Sequence, residues 1–149
     1  MKRLFNPLAV ATFCFSLVAL SASADNNKPI AFEQLPAKAQ QFVKTHFADS
    51  KVAIATQDAG ILDKSFDVAL VGGIKLEFDG KGEWTEVVCP MGNVPTTLLP
   101  EQIKAYLEKQ FPNVKVKEVE RDNGRYEVKL QNGTEVTFNK KFQPTDIDF

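Results

Sequence analysis

Residues 126–138 read Tyr-Glu-Val-Lys-Leu-Gln-Asn-Gly-Thr-Glu-Val-Thr-Phe, alternating apolar and polar positions on both sides of an Asn-Gly pair. A period of two is the pattern of a strand with one buried face, and Asn-Gly is the dipeptide that a two-residue type I′ turn favours. The stretch therefore predicts a β-hairpin. Tyr126, Val128, Leu130, Val136 and Phe138 fall on one face, and Glu127, Lys129, Glu135 and Thr137 on the other. Residues 66–78 repeat the pattern, with Gly72-Gly73 at the turn.

The repetition extends to helices. Leu35, Pro36, Ala39, Phe42, Val43 and Phe47 have the spacing of an amphipathic helix opened by proline, a residue tolerated in the first turn. They map onto Leu99, Pro100, Ile103, Tyr106, Leu107 and Phe111 at an offset of 64. In the hairpins the offset falls to 60, because the loop at residues 58–64 is longer than its counterpart at 121–125. Each copy reads as one helix and four strands, with first strands at 51–56 and 114–120 and last strands at 83–89 and about 145–149. The expected fold is α+β: two tandem helix-plus-four-strand repeats forming an antiparallel sheet of up to eight strands, with both helices on its apolar face. The expected segments are a polar tether at 25–34, a first repeat at 35–89, an irregular Pro-, Gly- and Asn-bearing linker at 90–98 and a second repeat at 99–149.

Val87 and Ile147 correspond at offset 60 and are expected in the core. Strict alternation then places Thr85 and Cys89 with Val87, and Trp84, Glu86 and Val88 on the opposite face. The polar face is expected to carry Asp67, Lys75, Glu77, Trp84, Glu86, Glu127, Lys129, Glu135 and Thr137. An antiparallel sheet commonly leaves such a face wet. The functional reading is a shallow, concave surface of mixed charge with Trp84 as aromatic anchor, suited to a protein or peptide.

The N-terminus changes the compartment. Lys2 and Arg3 precede an apolar run over residues 8–20, and Ala22-Ser23-Ala24 offers a small-residue cleavage site, so residues 1–24 are expected to be a secretory signal peptide. Cys14 lies within it, but the bulky Phe13 before that cysteine argues against lipoprotein processing. Removing 24 of the 149 residues leaves a mature chain of 125, enough for one domain with its own core. Without Lys2 and Arg3 the 18 basic residues become 16 against 19 acidic, a net charge of −3 that recommends no nucleic-acid partner. Cys89 alone survives cleavage, which rules out an intramolecular disulfide in the mature chain; its neighbours Val87 and Val88 suggest a structural thiol.

Candidate chemistry is sparse. His46 is the sole histidine and lacks acidic partners at ligand spacing, so a metal or triad role is not expected. Asp79-Gly-Lys-Gly-Glu83 lacks the regular oxygen spacing of a calcium loop and is better read as a hairpin turn. Asn132-Gly-Thr134 fits a glycosylation acceptor, but the hairpin explains it more economically. No catalytic residue, no cofactor and no metal are expected, and the chain is not expected to be an enzyme.

Three stretches carry a resemblance: Phe78-Asp-Gly-Lys-Gly-Glu-Trp-Thr-Glu-Val-Val-Cys89, the helix from Leu99-Pro100 to Phe111-Pro112, and the hairpin from Tyr126 to Phe138. In this order they resemble the PepSY-like family of exported bacterial proteins, whose fold is similar to the β-lactamase inhibitor protein. The resemblance spans nearly the whole mature chain. It implies two tandem helix-plus-four-strand repeats, an extracytoplasmic setting and no known catalytic residues. The second copy departs at 142–144, where Phe-Gln-Pro replaces the Gly-Glu-Trp of 82–84, which argues against a symmetric tryptophan site. A fold likeness to an inhibitor does not make an inhibitor. The expected function is a non-enzymatic periplasmic binding or inhibitor-like module for a polypeptide of the cell envelope. The alternative is an envelope carrier or sensor of small molecules, with a pocket between helices and sheet lined by Phe42, Phe66 or Tyr106. Hydrophobic strand edges could also pair chains into dimers.

Overall fold

The computed structural model describes residues 27–60 and 63–149. The expected signal peptide, its cleavage site and Cys14 lie outside the described residues. Nine strands form one sheet in sequential order, every neighbouring pair antiparallel: β1 Asn27–Ile30, β2 Val52–Ala59, β3 Lys64–Leu70, β4 Lys75–Asp79, β5 Trp84–Val88, β6 Val116–Asp122, β7 Arg125–Leu130, β8 Glu135–Phe138 and β9 Pro144–Asp148. The sheet has nine strands rather than eight because the segment read as a tether supplies β1, paired with the far end of the long strand β2.

Helices α1 (Ala37–His46) and α2 (Glu101–Gln110) follow Pro36 and Pro100 and end against Phe47 and Phe111. Ala39 and Val43 of α1, and Ile103 and Leu107 of α2, are buried in one core with the inward residues of the strands. Phe78, Leu76, Val87, Val119, Val128, Leu130, Val136 and Phe138 in that core are fully buried. Each such side chain contributes about 1.5–3 kcal/mol of burial free energy. The segment at 90–98 is fastened rather than loose. Gln131 Nε2 donates to the Gly92 carbonyl at 2.9 Å, Asn93 Oδ1 accepts from Val116 N at 2.8 Å, and Val94 is fully buried.

Two turns differ from expectation. Around Asn132-Gly133 the loop has three residues: Leu130 N bonds Thr134 O, Gly133 N bonds Leu130 O, and only Gly133 (φ 94°) enters the left-handed region. That is a three-residue hairpin loop ending in a left-handed glycine. The two-residue Asn-Gly turn with both φ positive lies one hairpin earlier, at Asn123 (φ 48°) and Gly124 (φ 80°), between the paired residues Asp122 and Arg125.

Four bulges interrupt strict alternation. The register skips Ala53 in β2, Thr85 in β5, Lys117 in β6 and Thr145 in β9. The extra residue at Thr85 reverses the expected facing of Trp84: it pairs with Phe78 and points into the core, 7% exposed. Thr85 itself is half-buried instead of joining Val87 inside, and Ile147 on the edge strand β9 remains 36% exposed.

The turn between β4 and β5 presses against the start of α1. Asp79 Oδ1 accepts the amides of Lys81 and Glu83, both at 2.9 Å, and Gly82 adopts φ 82°. A Cβ at Gly82 would lie 2.7 Å from Pro36 Cβ and 3.1 Å from Ala39 N. Gly82→Ala is therefore expected to destabilise the fold beyond the roughly 1–2 kcal/mol of left-handed strain alone, measured as a lower urea midpoint with an unchanged slope.

Candidate functional site

The face opposite the helices is organised by register. Asp67 pairs with Glu77, Glu77 with Glu86, Glu86 with Glu120 and Glu120 with Glu127, so five consecutive strands, β3 to β7, each place a carboxyl in one lateral row. Thr56 precedes the row on β2; Thr137 and Asp146 continue it on β8 and β9. These residues alternate with buried neighbours such as Val68, Leu76, Val87, Val119 and Val128, which is why all of them face outward. A second row runs beside it through Ile54, Ala69, Lys75, Val88, Glu118, Lys129, Glu135 and Asp148.

Directly opposed residues on antiparallel strands hold their Cβ atoms about 4.5–5.5 Å apart, where like charges repel. Partial burial compounds the effect by disfavouring the ionised form. Burial, with the charge and hydrogen bond of Glu77 and the charges of Glu118 and Glu120, pushes Glu86 up to about 8. Burial, with Glu135 as charge and hydrogen-bond partner, pushes Glu127 up to about 7, against an opposing pull from Lys129. Burial and the Glu77 charge bring Asp67 to about 6, although the Thr56 hydroxyl donates to it at 3.4 Å. Glu120 shifts upward for the same reasons, burial first and then Glu118 and Glu77. Lys129 lies 3.7 Å from Glu118 and 3.4 Å from Glu135; burial would lower its pKa, but these carboxylates together raise it.

Eight of the nine residues expected on this face, Asp67, Lys75, Glu77, Glu86, Glu127, Lys129, Glu135 and Thr137, do share it. Trp84 does not. Its ring lies on the helix side among Phe42 (6.1 Å) and Tyr126 (6.3 Å), capped by the Arg121 guanidinium at 4.3 Å. Arg121 Nε also donates to the Trp84 carbonyl at 2.7 Å, and Arg121 pairs with Glu83 at 3.5 Å. The tryptophan thus joins the first half of the sheet to the second, on the face opposite to the one expected. Sequence reasoning missed Glu118 and Glu120. Their positions flanking Val119 in a strand that had been located were the available signal.

A separate open groove of about 360 Å³ is lined by Lys38, Gln41, Phe42, Thr45, His46, Gly82, Glu83 and Trp84. Of the three aromatics expected to line a pocket only Phe42 takes part; Phe66 is buried in the core and Tyr106 packs edge-on against Phe138 at 5.5 Å. His46 stands beside the Phe42 ring at 4.8 Å, with Nδ1 3.5 Å from Thr97 Oγ1. Cys89 is buried, and that burial pushes its thiol upward, away from the reactive thiolate. Among the described residues, no three His, Cys, Asp or Glu side chains converge into a group that could hold a metal ion, and no helix is long and apolar enough to cross a membrane. The carboxyls form a line, each one strand further along.

A single antiparallel sheet carrying two helices on one face and a partly buried polar array on the other defines an α+β domain with an open sheet face. The chain belongs to the family described as "Putative beta-lactamase-inhibitor-like, PepSY-like", whose profile matches residues 64–145. It is similar to the crystal structure of a "putative periplasmic protein from DUF2874 family" of Bacteroides vulgatus, with 49% identity and a TM-score of 0.82 over 85% of this chain and all of that one. It is also similar to a "putative calcium-regulated periplasmic protein" of Bacteroides thetaiotaomicron, with 47% identity and a TM-score of 0.82 over 85% of this chain and all of the other. A third, a "putative periplasmic protein of unknown function" from Bacteroides vulgatus, shares 32% identity with a TM-score of 0.78 over 83% and 99% of the two chains. No curated protein matches the sequence.

Trp84→Ala empties a buried site shared by both halves. It should cost about 3–5 kcal/mol, the usual range for a core aromatic truncated to alanine, read as a large fall in melting temperature.

Proposed function

We propose that the mature chain is a non-enzymatic periplasmic binding module that holds a polypeptide on its open sheet face. The observation that carries this reading is the lateral row Asp67, Glu77, Glu86, Glu120 and Glu127, one carboxyl per strand across five strands. Carboxyls set in a line favour a ligand that lies across the strands with several cationic groups, such as an extended segment bearing Lys or Arg. Lys75, Lys129 and the half-buried Val88 of the second row vary the surface and would set specificity. The description of three similar structures as periplasmic and the expected signal peptide both support the compartment.

On this reading the chain is built from two copies of one unit. The bulge residues Ala53 and Lys117 stand 64 apart, and Thr85 and Thr145 stand 60 apart, the two offsets found in the sequence. Asn139 Oδ1 accepts the amides of Lys141 and Gln143 as Asp79 does those of Lys81 and Glu83, and Phe142 (φ 59°) occupies the left-handed place of Gly82. The outer strands carry Lys28, Pro29, Pro144, Asp146 and Asp148, residues that oppose edge-to-edge pairing, so the module is read as a monomer rather than a dimer. One similar protein is described as calcium-regulated; calcium would act here by screening the carboxyl row, competing with a cationic partner.

The test is capture from periplasmic extract with residues 25–149 as bait beside a Glu86→Lys, Glu120→Lys variant. A basic protein held by the first, lost with the second and released by about 0.5 M salt, where the Debye length is only a few ångströms, is the expected result. Absence of capture by the unaltered bait overturns it. The groove lined by Phe42 and Trp84 falls within the roughly 300–1,000 Å³ of small-ligand sites and supports the second reading, an envelope carrier or sensor, to be screened by thermal shift.

A further inference from the structure

We propose that the carboxyl row is a pH-responsive element of the isolated protein: at neutral pH it keeps protons shared between cross-strand carboxyl pairs, and it sheds them as the solution becomes alkaline. The shared protons lie between Glu77 and Glu86 and between Glu127 and Glu135; losing them makes the open face strongly anionic and lowers the stability of the sheet.

The register supports this on its own. Glu86 faces Glu77 on β4 and Glu120 on β6, with Glu118 of the adjacent row on the same side. Glu127 faces Glu120 on β6, with Glu135 on β8 diagonal to it. The cations of this face in the same strands include Lys75 on β4 and Arg125 and Lys129 on β7, with Lys117 at the bulge of β6; Arg125 pairs with Asp122, and Lys129 is already shared between Glu118 and Glu135. Asp67 on β3 and Asp146 and Asp148 on β9 extend the negative field at both ends. The helices lie on the other face and bring no charge to the row. Two ionised carboxylates at such a separation repel, whereas a proton on one member lets it donate to the other.

The direction follows from linkage. Glu86 and Glu127 hold their protons to about 8 and about 7 in the fold, against 4.5 ordinarily, so the folded chain binds more protons than the unfolded chain in between. Their stabilising contribution is complete below 4.5 and is lost as pH rises through 7 and 8. Glu83, held below its ordinary value chiefly by Lys38, acts only on the acid side of that window.

The experiment is a carboxyl-resolved NMR titration of the purified protein, run with thermal melts from about pH 5.5 to about pH 8.5. At least two carboxyls should titrate above pH 6, and the melting temperature should fall by roughly 4–8 °C across the range, the scale of a modest stability change in a domain of this size. Glu86→Gln combined with Glu127→Gln, which fixes both pairs in their protonated charge state, should flatten the fall. Glu108→Gln on the exposed side of α2 should leave it unchanged. Titration of every carboxyl below about pH 5.5, near its ordinary range, overturns the inference, and so does a melting temperature that stays level while the double variant behaves like the parent. If the double variant fails to fold, the titration of the unaltered protein decides. None of these readouts involves a partner, so the result is separable from the fate of the binding reading.

Discussion

The pairing of β5 with β6 is the constraint on which the rest of the molecule depends. Three registered pairs, Glu86 with Glu120, Val87 with Val119 and Val88 with Glu118, join the two helix-bearing halves into one sheet. The middle pair is fully buried on both sides and holds the seam from below. Trp84 and Arg121 reinforce the same seam through a stacked guanidinium and a carbonyl hydrogen bond. The register that buries Val87 against Val119 is also the one that sets Glu86 directly against Glu120. A slip by one residue would separate those carboxyls, but it would turn the valines to solvent. Apolar burial on one face therefore imposes like-charge proximity on the other, and the sheet is stable because the first effect exceeds the second.

Opposite faces of the same strands carry opposite chemistries. Beneath the carboxyls runs an aromatic layer: Phe42 edge-on to Phe78 at 5.5 Å, Trp84 to Tyr126 at 6.3 Å, Tyr126 to Phe142 at 5.8 Å and Tyr106 to Phe138 at 5.5 Å. Large rings packed against two helices make the strands a stiff support. Stiffness matters to the outer face, because strands that could separate would relieve the crowding of Glu77, Glu86, Glu120 and Glu127. The core thus holds the carboxyls at a spacing that their own charges oppose.

Much of this was legible in the sequence because alternation of period two is a local signal. The facing of Val68, Leu76, Val128 and Val136, and hence of Glu77, Glu127, Lys129 and Glu135, follows from short runs with no irregularity inside them. The errors fall where one residue breaks the count. Thr85 is such a residue, and the reversal of Trp84 follows from it; nothing in Glu-Trp-Thr-Glu-Val distinguishes a bulged strand from a regular one, since the bulge is set by pairing with β4. Strand β1 was hidden for a different reason. Asn-Lys-Pro-Ile lacks alternation and becomes a strand only because β2 is long enough to offer it an edge. The row itself was only partly visible, because lateral order is a property of register between strands, and Glu120 joins Glu86 only once the β5–β6 seam is known.

Raised carboxyl pKa values cluster at active sites often enough to raise the enzyme reading. The row is arranged differently from such a site. General acid–base catalysis needs carboxyls converging on one reacting atom inside a cleft, with environments that drive their pKa values apart. Here Asp67, Glu86, Glu120 and Glu127 are all displaced in the same direction by the same two causes, burial and their neighbours' charge. They are strung along a sheet face, while the groove beside Trp84 lies on the helix side. An array whose members share one kind of displacement is suited to a collective response, the proton uptake and the cationic partner proposed above. On the proposed binding reading, both responses would discharge the same repulsion across the β5–β6 seam, and protonation and a cationic ligand would compete for the same carboxyls.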